Sequence, residues 1–332
     1  MIRVLELSDN VAAAFCGLLL AETGCEVIKV EPPSGDPVRA LGDGYESEFL
    51  DRRKLSVQVD WSDAAHRARF LDLVRHVDAV VETFGAAGLE ARGVSVAALR
   101  EANPDLLIAS ITPFGAEGPQ SEWIASELVA EATSGILPAT GWVGEPPQKL
   151  PGYPGHYIAG LNAAIALLCG VFGVRRGTTG GAQFDISVQE SLGPHWARHI
   201  SRYVYGGRQT IRPHPRAPRP QGFPGTPRTR GGGIYLLALR AEWEHFALFL
   251  GLEDFVTGEW ADPVARLRRW EEMRPVFERL LLSRTRYEWF AGAAAEGFTF
   301  APVDSPADLL HSPQLAARET LEPFTAASGR PV

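Results

Sequence analysis

From its amino terminus the chain alternates short apolar runs with stretches of helical period. Arg3 to Leu7 predicts a strand, and Val11 to Glu22, rich in alanine and leucine, predicts a helix. Cys25 to Val30 predicts a second strand, stopped by Pro32-Pro33. Leu55 to Asp60 predicts a third. Ser62-Asp63 then caps a helix reaching His76, and Asp78 to Glu82 is an apolar fourth strand. A helix from Ser95 to Ala102 precedes a fifth strand, Leu106 to Ile111. Strands at this spacing, joined by helices, predict a doubly wound parallel sheet of Rossmann-like α/β type. Ligands of such sheets sit at the carboxyl ends of the strands. That rule gathers Ser8 to Ala14, Pro32 to Arg39, Thr83 to Gly88 and Thr112 to Gly118 along one rim.

The pattern then changes. Residues 119–205 read as mostly helical, with a short strand at Asp185 to Val188 after Gly180-Gly181. Tyr205 to Gly233 is rich in proline, glycine and arginine, including Arg208, Arg212, Arg216, Arg219, Arg228 and Arg230. It reads as a solvated linker, with a phosphate-contacting loop as the functional alternative. Ile234 to Leu239 is a strand, Glu242 to Ala295 a small helical unit, and Phe300 to Val303 begins a return. The expected organisation is therefore a large domain over 1–205, a hinge over 206–233, and a smaller α+β domain over 234–300. Residues 301–332 start a segment running back to the large domain, and Arg330-Pro331-Val332 ends it as a truncated segment would.

Composition narrows the function classes. A chain of 332 residues exceeds a typical domain of about 100–200 residues, in line with two units. Hydrophobic residues at 45% and charged ones at 22% suit a buried core. A net charge of −8 argues against bulk binding to nucleic acid or acidic membrane, and leaves room for a local basic pocket. Cys16, Cys25 and Cys169 are scattered, odd in number and without metal spacing, which favours a reducing compartment. No charged start precedes an apolar run, and Ile158 to Val174 is interrupted by glycines and Asn162, short for a membrane span. The expectation is a cytoplasmic protein without a metal. Phosphate-binding loops of the Walker type, nucleophile elbows, HExxH and paired CxxC motifs are absent. His195 and His199 form a helical pair with no further ligand in view, and Ser187 to Ser191 reads as a strand-to-helix corner.

Ordered blocks along the chain carry a resemblance. They are Val4 to Ser8; Ala14 to Arg39; Arg52 to Asp60; Val80 to Gly85, continuing through Leu89 to Gly93; Gln148 to Ala164; Gly180 to Ser187; and Phe300 to Val303. Together the sequence is similar to the family III coenzyme A transferases, the CaiB/BaiF type. That resemblance implies a Rossmann-like large domain with a smaller one, and usually an interlocked dimer. It implies CoA and acyl-CoA as substrates alongside small carboxylic acids. By position it implies that Arg39 sits near the CoA phosphates and that Thr83 and Phe84 flank the adenine. It also implies that Arg92 offers a second cationic contact, Lys54 a peripheral one, and that Val11 lies in the CoA site. Arginine meets phosphate with a planar two-pronged donor set, and a phenyl ring offers a stacking face. The plainer alternatives are core for Phe84, a solvated helix end for Arg92 and surface charge for Lys54.

In the family, an aspartate attacks the acyl-CoA thioester, and CoA then returns to form an enzyme thioester that passes CoA to a second acid. The matching position here is His156. An imidazole has no carbonyl carbon to carry CoA, so the ordinary route through residue 156 is closed. Glu127, Glu131, Glu145, Asp185 and Glu190 are candidate replacements. Glu127 and Glu131, one turn apart, otherwise read as an exposed helix face. Ala125 and Leu128 stand where the family often has polar or charged residues.

Three expectations follow. The first is a half or subunit lacking the nucleophile, in a homodimer or a heteromer with an aspartate-bearing homologous chain. The second is an acyl-CoA racemase or epimerase in which Glu127 and His156 act from opposite faces of the α-carbon. The third is a non-catalytic interaction scaffold.

Overall fold

The computed structural model of the chain describes residues 1–209, 226–237 and 243–323, with positions 212, 325 and 329. Two compact units are present, one of Met1–Thr140 and Pro147–Thr210, the other of Gly141–Pro146 and Ile211–Val332.

In the first unit, β1 (Arg3–Leu7), β2 (Glu26–Glu31), β3 (Leu55–Gln58), β4 (Ala79–Glu82), β5 (Leu107–Thr112) and β6 (Gln183–Ser187) form one sheet. Its order is β3-β2-β1-β4-β5-β6, parallel throughout. This is the doubly wound order, with the reversal of winding between β1 and β4. Strands β4 and β5 are buried along their whole length, as a sheet covered on both faces requires. Helix α1 (Val11–Glu22) begins on an Asn10 cap, whose side chain accepts the Ala12 N–H. A 3₁₀ segment (Pro37–Gly44) and α2 (Tyr45–Leu50) cross the rim, a region the apolar pattern left blank. Helices α3 (Ala64–Val74), α4 (Gly85–Ala91) and α5 (Val96–Ala102) follow, with Asp63 and Ser95 as caps.

The stretch 119–205 is less helical than its pattern predicts. It holds α6 (Glu127–Thr133), α7 (Pro154–Arg175), α8 (Val188–Leu192) and α9 (Ala197–Gly206), separated by irregular chain over 141–153. At 22 residues α7 is longer than the apolar run suggested, and long and apolar enough by composition to cross a membrane. In this fold it buries Ala159, Ala163, Leu167 and Val171 in one core with Ala12, Ala13, Cys16 and Leu20 of α1. A second core on the opposite face of the sheet joins Leu5, Leu7, Val80 and Ile108 to Phe70, Val74 and Leu99.

The second unit has the sheet β7 (Arg228–Thr229), β8 (Gly232–Leu237) and β9 (Thr299–Pro302), antiparallel. Helices α10 (Trp243–Leu250), α11 (Pro263–Arg268), α12 (Trp270–Leu281) and α13 (Arg286–Ala295) close an aromatic core around Phe246, Phe277, Trp289 and Phe300. The start of the segment expected to leave this unit stays in it. Phe300 to Pro302 pair with Leu236 to Ile234, because Phe300 is a core side chain of this sheet. Most of the expected hinge (210–211, 213–225, with Arg216 and Arg219), residues 238–242 of the small domain, and 324, 326–328 and 330–332 of the final segment lie outside the described residues.

Candidate functional site

Two polar clusters occupy the carboxyl rim of the large sheet. The first grows from Glu6 on β1 and Lys29 on β2, opposite each other in register. The Lys29 ammonium lies 2.7 Å from Asp36 Oδ2, 2.7 Å from Asp51 Oδ1 and 3.6 Å from Glu6. Burial disfavours its charge, but the three carboxylates outweigh burial and raise its pKa above the ordinary lysine value. Lys54 Nζ donates to Glu6 Oε2 at 2.6 Å and to the Ala14 carbonyl at 2.7 Å, and reaches Asp51 at 3.4 Å. Only 1% of its side chain is exposed. Lys54 is thus not surface charge, and its three donors are taken inside the protein. Gly17 makes room for the pair: a Cβ there would lie 2.0 Å from Glu6 Oε2.

Other residues expected at the CoA site are held by their own neighbours. Arg39 forms a two-pronged pair with Glu31, Nε to Oε2 at 2.7 Å and Nη2 to Oε1 at 2.6 Å, while half of its side chain stays exposed. The guanidinium, with Ser56 and the Asp36 N–H, lowers Glu31 to about 2. Val11 is buried with Ala14, Leu18, Val38 and Leu50, so its side chain is core. Thr83 donates to Asp9 at 2.9 Å. The Arg92 guanidinium lies over the Phe84 ring, 3.5 Å from its centroid, and donates to the Gly88 carbonyl. Burial pulls the Arg92 pKa down from its ordinary value. Phe84 and Arg92 are therefore one stack, an arrangement that separate motif matches did not predict. Beneath it the buried Glu82 carboxylate accepts the Phe84 and Gly85 N–H groups at 2.7 and 2.8 Å, with its pKa raised by burial.

The second cluster brings Glu127 and His156 together. Helix α7 starts with Pro154 at its first turn and has no side-chain cap of its own. Glu127, the first residue of α6, supplies one across space. Its Oε1 accepts the Gly155 N–H at 2.5 Å, and its Oε2 accepts the His156 N–H at 3.1 Å. The same Oε2 lies 2.5 Å from His156 Nδ1. Residue 155 suits glycine, since a Cβ would stand 3.0 Å from Glu127 Oε1 and 3.1 Å from Leu192 and Val188. Burial pushes the Glu127 pKa up, but the His156 and Gly155 hydrogen bonds outweigh it and hold the carboxyl below its ordinary value. An ionised Glu127 can only accept, so Nδ1 carries a proton, and Nε2 has no hydrogen-bond partner among the described residues.

The imidazole, 16% exposed, lines a cleft of about 40 Å³ with Asn10, Ala12, Ile111, Thr112 and Ser126 among its walls. His156 is a wall residue and Glu127 is not. The walls come from the first turn of α1, the end of β5 and the start of α6. The cleft therefore sits at the carboxyl ends of the central strands.

The exposed-face expectation for Glu127 and Glu131 is overturned, since both are buried. Glu131 Oε2 accepts the Leu150 N–H at 3.0 Å, and Lys149 stands 3.6 Å from its other oxygen, which ties down the chain ahead of α7. Glu127 and His156 are hydrogen-bonded to each other here, whereas the racemase arrangement sets them on opposite faces of a substrate carbon. Asp185 accepts the Ala116 N–H, Glu145 and Glu190 are exposed, and none of the described cleft-lining residues is acidic, lysine or arginine. Asn10 was missed; its place as a cap directly after β1 was the available signal. Among the described residues no group of three or more His, Cys, Asp or Glu is arranged to hold a metal, and the His195 side chain lies outside them.

Comparison with known proteins adds a family. The model for CoA-transferase family III matches residues 1–332. The chain is 30% identical to succinyl-CoA:mesaconate CoA-transferase of Haloarcula hispanica, across 96% of this chain and 84% of that protein. It is 31% identical to a probable CoA-transferase of Mycobacterium tuberculosis, across 95% of this chain and 41% of that longer protein. Among solved structures, a CAIB/BAIF family protein from Brucella suis superposes with a TM-score of 0.87 at 25% identity, covering 99% of this chain and 89% of that one.

Proposed function

The chain belongs to CoA-transferase family III, and from that premise we propose that it binds CoA thioesters without supplying the covalent carboxylate of CoA transfer. Family membership implies CoA or acyl-CoA as substrate, and the relatives named above support CoA transfer as the general function. In our reading the carboxylate that carries CoA is contributed by a homologous chain. One observation carries this: residue 156, at the cleft wall, is an imidazole, and the adjacent carboxylate, Glu127, has both oxygens engaged at the start of α7. A carboxylate fixed by two backbone N–H groups and a ring nitrogen is a poor nucleophile toward a thioester.

The test is CoA exchange between an acyl-CoA and a free acid. The wild-type chain alone is expected to show none, and to gain exchange when mixed with an aspartate-bearing homologue. A double variant, His156→Asp with Glu127→Gln, is expected to gain exchange alone. The second change keeps the introduced carboxyl from sharing a proton with a neighbouring acid at position 127. Exchange by the isolated wild type would sink the reading.

A further inference from the structure

We propose that the Glu127–His156 pair activates water, making the chain an acyl-CoA thioesterase for short acyl groups. The inference rests on the CoA-thioester reading above and goes beyond it. Its first support is the pairing of the ring: Glu127 engages Nδ1, which leaves Nε2, on the far side of the ring, to accept a proton, and His156 is one of the cleft walls. A carboxylate placed in this way sets the tautomer and stabilises the imidazolium that forms. The second support is the cleft itself. Its volume of about 40 Å³ holds only a few water-sized groups, and Asn10, Thr112 and Ser126 make part of the wall polar. The third is that the described wall holds no carboxylate, lysine or cysteine, and neither of its hydroxyls, Thr112 and Ser126, is hydrogen-bonded to His156, so the pair is left to activate water.

In the step, His156 Nε2 takes a proton from water while the water oxygen bonds to the thioester carbonyl carbon. The tetrahedral intermediate then breaks its C–S bond. The electron pair leaves on the CoA sulfur, which takes the proton back from the imidazolium. Water and acyl-CoA become a carboxylic acid and free CoA, with no oxidant, reductant or further reactant. The first turn of α1, which puts Asn10 and Ala12 in the wall, offers the positive end of a 12-residue helix to the carbonyl oxygen.

The experiment incubates the full chain with acetyl-CoA and no acceptor acid, follows free thiol with a chromogenic disulfide, and titrates CoA by calorimetry in parallel. Thiol is expected to appear over many turnovers with one acid per thiol. His156→Ala and His156→Gln should each lose about a hundredfold in rate while binding CoA as wild type does. Glu127, a positioning residue, is tested by Glu127→Gln, which should lower kcat far more than it changes KM. CoA binding without thiol release above buffer overturns this inference alone, as does release that both His156 variants retain. Absence of CoA binding overturns the preceding reading and this inference with it.

Discussion

Two groups of buried charge lie on the same rim of the large sheet, and they differ in which atoms remain free. Around Glu6, Lys29 and Lys54, each ammonium is buried and surrounded by carboxylates or a carbonyl, and the one atom of these groups left without a partner, Asp51 Oδ2, is itself buried. At the start of α7, Glu127 is just as fully engaged, yet it leaves one nitrogen of His156 unused beside a cleft. Closed polar networks fix a fold, while an oriented group with one unspent atom at a cavity wall is equipped for chemistry. Lys54 spends its donors inside the protein, and Glu127, a catalytic candidate that also read as an exposed helix face, is buried against His156.

The contrast can be broken at either end. Lys54→Met should have the largest effect. It leaves Glu6 buried beside a methyl group, and removing one partner of a buried pair costs roughly 3–5 kcal/mol, readable by urea denaturation. Gly17→Ala should destabilise in the same direction by driving a methyl group into Glu6. Neither change should alter CoA binding per folded molecule if the first cluster is purely structural.

At the other end, Glu127→Gln should lower stability at neutral pH by about 1–2 kcal/mol, through lost charge at the positive end of α7. Because Glu127 titrates below its ordinary value of 4.5 in the folded chain, the stability from its charge is fully present above that value. It is lost as pH falls through the lower folded value. The difference between wild type and variant should therefore shrink below pH 4.5 in thermal melts, and a constant difference down to the acid limit would contradict the assignment.

The smallest effect is expected from Arg39→Met, at about 1 kcal/mol or less, since half of that side chain is in solvent. Its contribution through Glu31 is complete above 4.5 and disappears between 4.5 and about 2. Calorimetry on the same variant asks whether Arg39 also contacts the CoA phosphates. Unchanged affinity would confine it to the Glu31 pair.

Much of the fold was readable because periodicity and caps act locally. Arg3 to Leu7 and Val11 to Glu22 were placed without error, and Asp63 and Ser95 mark helix starts by the same side-chain chemistry that signals them in sequence. The 3₁₀ segment at Pro37–Gly44 was not readable. Its course rests on Asp36 meeting Lys29 and on left-handed backbone at Gly42 and Asp43. Lys29 itself offered a signal that went unused: a charge within a parallel strand, opposite another in Glu6, departs from the continuous apolar run that burial on both faces favours. The burial of Glu127 lay beyond local pattern altogether, because the groups it caps are 28 and 29 residues away at the start of α7.

The central claim is that residue 156, held by Glu127, carries no CoA during turnover. Intact-mass spectrometry of the wild-type chain after incubation with an acyl-CoA tests it directly. The protein mass is expected to stay unchanged. A CoA-sized adduct, cleaved by hydroxylamine and mapped to any carboxylate of this chain, would contradict it.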